Sequence, residues 1–65
     1  MKVQIVKVIS PRSWYRNMIG DVIEVTYDDI DDIYEIDNAE KLYPQEFDDG
    51  VVGLYIEADD VEFLG

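Results

Sequence analysis

Apolar and polar residues alternate with a period of two in several short runs, a pattern that predicts strands rather than helices. In the first run Val3 and Ile5 alternate with Lys2 and Gln4, and then the alternation slips, because Val6 and Val8 flank Lys7. A one-residue slip turns side chains to the opposite face, so a strand over 2–9 with a bulge at Ile5-Val6 is expected. A second strand, from about Asp21 to Tyr27, sets Ile23, Val25 and Tyr27 against Val22, Glu24 and Thr26. A third, over 32–36, places Tyr34 and Ile36 on one face; a fourth, over 51–57, does the same for Val52, Leu54 and Ile56; a fifth covers 61–64.

The breaks between these runs carry their own signals. Ser10-Pro11-Arg12-Ser13 ends the first, since proline cannot donate to a ladder, and the loop continues through Trp14-Tyr15-Arg16-Asn17. Gly20 fits a tight turn needing positive φ. Asp28-Asp29-Ile30-Asp31-Asp32 reads as a charged turn, and Asp37-Asn38-Ala39-Glu40 ends the third strand. Pro44 demotes residues 42–47 to an edge strand or an irregular piece. Asp48-Asp49-Gly50, between Phe47 and Val51, predicts a hairpin, and Ala58-Asp59-Asp60 a short helical or 3₁₀ connection. β-branched and aromatic residues dominate the apolar set, and only Leu42, Leu54 and Leu64 are leucines. The expected class is therefore all-β: a single domain over 1–65, built as a small five-stranded barrel with a short 3₁₀ turn before the last strand. Closure into a barrel would also remove exposed strand edges.

Three segments resemble the SH3-like small barrel. They are the opening strand with its long Trp14-Tyr15 loop, the glycine-led run Ile19-Gly20-Asp21-Val22-Ile23-Glu24-Val25, and the ending Tyr55-Ile56-Glu57-Ala58-Asp59-Asp60-Val61-Glu62-Phe63-Leu64. The Trp-Tyr loop and the Ile-Gly start of the second strand are also similar to small phage and prophage proteins of Gram-positive bacteria. The resemblance implies a fold and a phage genomic setting rather than an activity, and a phage-encoded chain would act in the bacterial host cytoplasm. Peptide-binding SH3 domains carry an Ala-Leu-Tyr-Asp-Tyr-like run after the first strand, where this chain has Ser10-Pro11-Arg12-Ser13-Trp14-Tyr15.

Composition narrows the chemistry. The 65 residues include no cysteine and no histidine, which removes disulfides, thiolate and imidazole metal sites, and histidine-dependent nucleophilic catalysis. No apolar run approaches the ~20 residues that span a bilayer. The N-terminal run 1–9 lacks the unbroken apolar core and cleavage site of a secretory signal, so a cytoplasmic location is expected. The net charge is −11, from 16 acids against 5 bases, and it is unevenly placed. Residues 1–20 hold Lys2, Lys7, Arg12 and Arg16 and no acid; every carboxylate lies after Gly20, with Lys41 the one cation there. So acidic a body repels nucleic-acid phosphates and anionic membranes and attracts basic surfaces. The early cations either contact an anion or pair with the neighbouring acidic strands.

Each candidate constellation has a plainer reading beside it. Asp28, Asp29, Asp31 and Asp32 suggest calcium, but counting from Asp29 the fifth position is Ile33 and the sixth Tyr34, where an EF-hand needs an acid and a glycine. A solvated turn accounts for them. Paired carboxylates could run glycosidase chemistry, but so small a domain rarely offers the pocket it needs. No enzyme activity and no cofactor are expected. Trp14 and Tyr15 beside Arg12 and Arg16 form either a contact surface or a platform for bases, or Trp14 plugs one end of the barrel. Among the other tyrosines, Tyr43 is expected to be the most exposed.

The expected function is a non-enzymatic protein-binding module whose acidic surface docks on a basic protein partner. A sharper form is an inhibitor that mimics nucleic acid, its carboxylates standing in for phosphates. No direct nucleic-acid or membrane contact is expected. The candidate partner-binding residues are Trp14, Tyr15, Tyr43, Asp28, Asp29, Asp31, Asp32, Asp48, Asp49, Asp59 and Asp60. The alternative is a structural or accessory subunit that self-associates, for example as a homodimer joined through its oppositely charged halves.

Overall fold

The seven-residue strand Val22–Asp28 organises the sheet, because its two halves have different partners. In the computed structural model, which describes residues 1–48 and 50–65, this strand is β2. It follows β1 (Lys2–Ile5) and precedes β3 (Ile33–Ile36), β4 (Tyr55–Glu57) and β5 (Val61–Phe63). The first half of β2 pairs with β1 through Lys2↔Glu24, Val3↔Ile23 and Gln4↔Val22. The second half pairs with β3 through Val25↔Ile36, Thr26↔Glu35, Tyr27↔Tyr34 and Asp28↔Ile33. β4 extends β3, and β5 returns to the free side of β1, so one antiparallel sheet runs in the order β4-β3-β2-β1-β5. The protein is thus an all-β domain of five strands, with a 3₁₀ turn at Ala58–Asp60 before the last strand, as its period-two runs predict. β4 and β5 are the ends of the sheet, joined by that turn, and no ladder pairs them among the described residues.

The alternation of β2 decides what is buried. Ile23 and Val25 point inward with Val3, Ile5, Ile36, Leu54 and Ile56, and these residues, with Tyr15 and Ala39, form the core. Burying each of these aliphatic side chains contributes about 1.5–3 kcal/mol, which a domain this small needs. The opposite faces of the same strands carry Lys2, Glu24, Thr26, Glu35 and Glu57, all exposed.

The structure departs from the sequence expectation in three segments. β1 stops at Ile5 instead of running to Ile9. The reason is the slip itself: Val6 N and Lys7 N both donate to the one carbonyl of Asp60, at 2.8 and 3.3 Å, two residues against one. β4 begins at Tyr55, not Val51. Ile36 N still donates to Leu54 O at 3.0 Å, but Val51 N turns back to Asp48 O at 3.1 Å, and Val52 is left 87% exposed instead of facing inward. The hairpin expected between Phe47 and Val51 is replaced by this turn, with Gly50 at φ +87°; Asp49 lies outside the described residues. The sequence pattern predicts an edge strand or an irregular piece over 42–47 and a strand end over 37–40; the chain there forms a single helical turn, α1 (Ala39–Leu42), and a 3₁₀ turn at Pro44–Glu46. Asn38 enters α1 in the left-handed conformation (φ +56°), which asparagine tolerates better than most residues, and Pro44 opens the 3₁₀ turn where its missing N–H costs nothing. Gly20 adopts φ +96°, and its N–H closes the loop base on Ile5 O at 2.7 Å. No helix among the described residues is long and apolar enough to cross a membrane.

Candidate functional site

The Trp14-Tyr15 loop folds down onto the sheet, and the two aromatics divide the work. Tyr15 is buried, 3% exposed, within the core. Its hydroxyl donates to Asp60 Oδ2 and accepts from Glu57 N at 3.3 Å. Asp60 is itself 1% exposed, and its Oδ1 accepts from Ile9 N at 3.3 Å. A buried carboxylate is tolerated only when hydrogen bonds replace its water, and here they do. The cluster ties the loop to the 3₁₀ turn that precedes β5. Burial and the bond to Asp60 push the Tyr15 phenol above its ordinary range. Tyr15 and Asp60 are therefore corrected from contact residues to interior residues; neither presents a side chain to a partner.

Trp14 is half-buried against the same core. Its Nε1 donates to Tyr55 O at 2.8 Å, its ring meets Tyr15 edge-on at 5.5 Å, and Tyr43 lies 5.2 Å away. The indole wedges the loop between β4 and α1. Tyr43 is half-buried, and burial raises its pKa. Tyr27 and Tyr55, at 40% and 38%, are the exposed tyrosines, so the expectation for Tyr43 is corrected too. Arg16 donates to Ser13 O at 3.2 Å and is exposed.

The β2–β3 turn gathers Asp28, Asp29, Asp31 and Asp32 around an isoleucine. Asp28 Oδ1 accepts from Ile30 N at 3.0 Å and from Asp31 N at 3.4 Å, an Asx arrangement that makes the reversal. Asp32 takes a left-handed φ of +52° and accepts from Tyr27 Oη at 2.5 Å. That bond is the main reason the Tyr27 pKa is pushed up to about 12. Asp29, Asp31 and Asp32 are exposed, and Ile30 at the tip is 89% exposed. Asp48 and Asp59 are exposed as well, in other turns. The candidate acids thus lie in several turns, with Asp28, Asp29, Asp31 and Asp32 gathered in one of them. Among the described residues the one ion pair joins the Met1 amino group to Glu24 at 3.6 Å, so the early cations do not neutralise the acidic strands.

Sequence reasoning missed one place. A cleft of about 340 Å³ opens between α1, the end of β3 and residues 52–53, and Glu35, Glu40, Phe47 and Val52 line it. The signal available was Gly53, which interrupts the apolar run Val51–Ile56. These features define a small acidic all-β domain with exposed carboxylates and an open cleft beside α1. Comparison of the chain with protein-family models, with curated proteins and with solved structures finds no match.

Proposed function

We propose that this protein is a non-enzymatic binding module that docks its acidic surface on a basic protein partner. The supporting observation is the state of its charges. Eleven carboxylate residues after Gly20 are exposed, and among the described residues none pairs with a lysine or arginine side chain. Unpaired surface carboxylates give up little on meeting a cationic partner, and their field speeds the encounter. The SH3-like barrel is the scaffold we propose, supported by a meander whose last strand returns beside the first after a 3₁₀ turn. A phage or prophage origin, proposed from the Trp14-Tyr15 loop and the Ile19-Gly20 start, would set the module in a bacterial cytoplasm.

The test is capture from DNase-treated bacterial lysate, followed by binding to the purified captured protein at two salt concentrations. Basic proteins that bind wild type, release at high salt and bind the D29N/D31N double variant more weakly support the reading. Capture insensitive to both salt and the variant overturns it. Competition by duplex DNA for the same partner distinguishes the phosphate-mimicking form from docking elsewhere.

The second reading is self-association. It draws on the same separation of charge, since Lys2, Lys7, Arg12 and Arg16 are exposed and remain available to the carboxylates of another copy. Sedimentation at low and high salt checks it: a dimer that dissociates on adding salt supports it, and a monomer throughout removes it.

A further inference from the structure

The cleft beside α1 is apolar below and acidic at its mouth. Its floor is Ile36 and Ala39, both buried in the core, with Phe47 half-buried next to them. Val52, 87% exposed, stands as one wall. Glu35 and Glu40 flank the opening, with Lys41 the single cation there. Gly53 adds a geometric detail. A Cβ at that position would lie 3.2 Å from Glu35 Oε2 and 3.2 Å from Tyr55 Oη, so both oxygens pack against Gly53 and a side chain there would crowd Glu35. The strand register puts Glu35 directly opposite Tyr55.

We propose that this cleft receives an arginine side chain from the partner. The inference rests on the acidic-surface reading and names where and how that surface is read. An arginine has an apolar stem for the floor and a planar guanidinium for the mouth. The Glu35 and Glu40 carboxylates match the guanidinium by charge-assisted hydrogen bonds, and its planar fork suits a carboxylate better than a point-charge ammonium does. The volume lies at the small end of ligand sites and suits one long side chain rather than a cofactor. The surrounding charge favours a cationic occupant over an anionic or neutral one.

The experiment is a titration of the ¹⁵N-labelled protein with N-acetyl-arginine methylamide, followed by amide shifts. The capped amino acids of lysine and norleucine, and a capped pentalysine, serve as comparisons. Arginine should shift the amides of Ala39, Val52 and Gly53 saturably, with norleucine roughly tenfold weaker or more. Glu35→Gln should weaken arginine binding by roughly fivefold to tenfold, while Glu62→Gln, on β5, leaves it unchanged. Gly53→Ala should weaken it too, by crowding Glu35. Equal binding of norleucine or lysine, or an unaltered affinity in Glu35→Gln, overturns the proposal. If pentalysine shifts the exposed acidic turns while arginine leaves the cleft silent, the cleft proposal fails and the acidic-surface reading stands. Silence with both ligands removes both.

Discussion

Tyr15 and Tyr27 each donate a hydroxyl hydrogen bond to an aspartate, Asp60 and Asp32 respectively, yet one pair sits in the core and the other on an exposed turn. The chemistry is the same and the surroundings differ. Around Tyr15 and Asp60 water is excluded, so each lost bond leaves a buried polar atom unpaired. Around Tyr27 and Asp32 water replaces whatever is removed. The first pair holds a loop of the fold in place; the second tunes a proton and shapes a turn. Short distance alone, then, says little about what a polar contact contributes.

The largest expected effect comes from cutting the buried pair. Asp60→Ala strands the Tyr15 hydroxyl and Ile9 N, and should lower the unfolding free energy by about 2–4 kcal/mol, measured by urea denaturation. Tyr15→Phe, which keeps the ring, should lose about 1–3 kcal/mol. Tyr27→Phe should leave the urea midpoint near that of wild type. If the Tyr27 variant loses as much as the Tyr15 variant, burial is not what separates the pairs.

Alkaline pH sharpens the same contrast. The folded Tyr15 pKa lies above 10.0, the ordinary phenol value that the unfolded chain keeps. The unfolded state therefore releases this proton first. The stability linked to it is complete below about pH 10 and declines as pH rises through the folded value. Urea midpoints between about pH 9 and pH 11 should fall more steeply for wild type than for Tyr15→Phe. Equal slopes would mean that Tyr15 ionises freely in the native state.

For the exposed pair the readout is titration instead of stability. Ultraviolet difference spectra should show a phenol ionising near 12, assigned to Tyr27 by its absence in Tyr27→Phe. Asp32→Asn should bring that midpoint down toward the ordinary value, because the neutral amide no longer favours the protonated phenol. A midpoint unmoved in Asp32→Asn would remove the hydrogen bond as its cause.

The smallest effect concerns the charges outside both pairs. With a net charge of −11 and one ion pair among the described residues, screening removes far more repulsion than attraction. The melting temperature should rise from low salt to about 0.3 M, where the Debye length falls well below 10 Å. A flat or falling curve would show that repulsion among the exposed acids does not limit stability.

Much of the sheet was legible because side-chain period and backbone period coincide. Ile23 and Val25 in β2 alternate cleanly and are buried, and the Ala58–Asp60 turn follows from the interruption between Ile56 and Val61. Gly20 announces its positive φ by lacking a side chain where the loop closes. The failures have a common physical cause: tertiary partners outvote local pattern. Val52 has strand spacing but no inward partner, because Val51 N turns back to Asp48 O instead of joining a ladder. The helical turn at Ala39 depends on a buried methyl group beneath it, which no periodicity displays in four residues. Asp60 looks like its fifteen fellow acids in composition, and only the arrival of Tyr15 and Ile9 from 45 and 51 positions away makes it an interior residue. The cleft was hidden for the same reason, since Glu35, Ala39, Phe47 and Gly53 come from separate segments that meet only in the folded chain.

The terminal strands β4 and β5 have three residues each, and each carries a glutamate, Glu57 or Glu62. Antiparallel annealing of two molecules along β5 would set Glu62 against its own image, and like charges directly opposite one another oppose such a ladder. Growth of the sheet into ribbons or fibrils along that edge is thereby discouraged, so the same glutamate that keeps the strand soluble also keeps each molecule separate there.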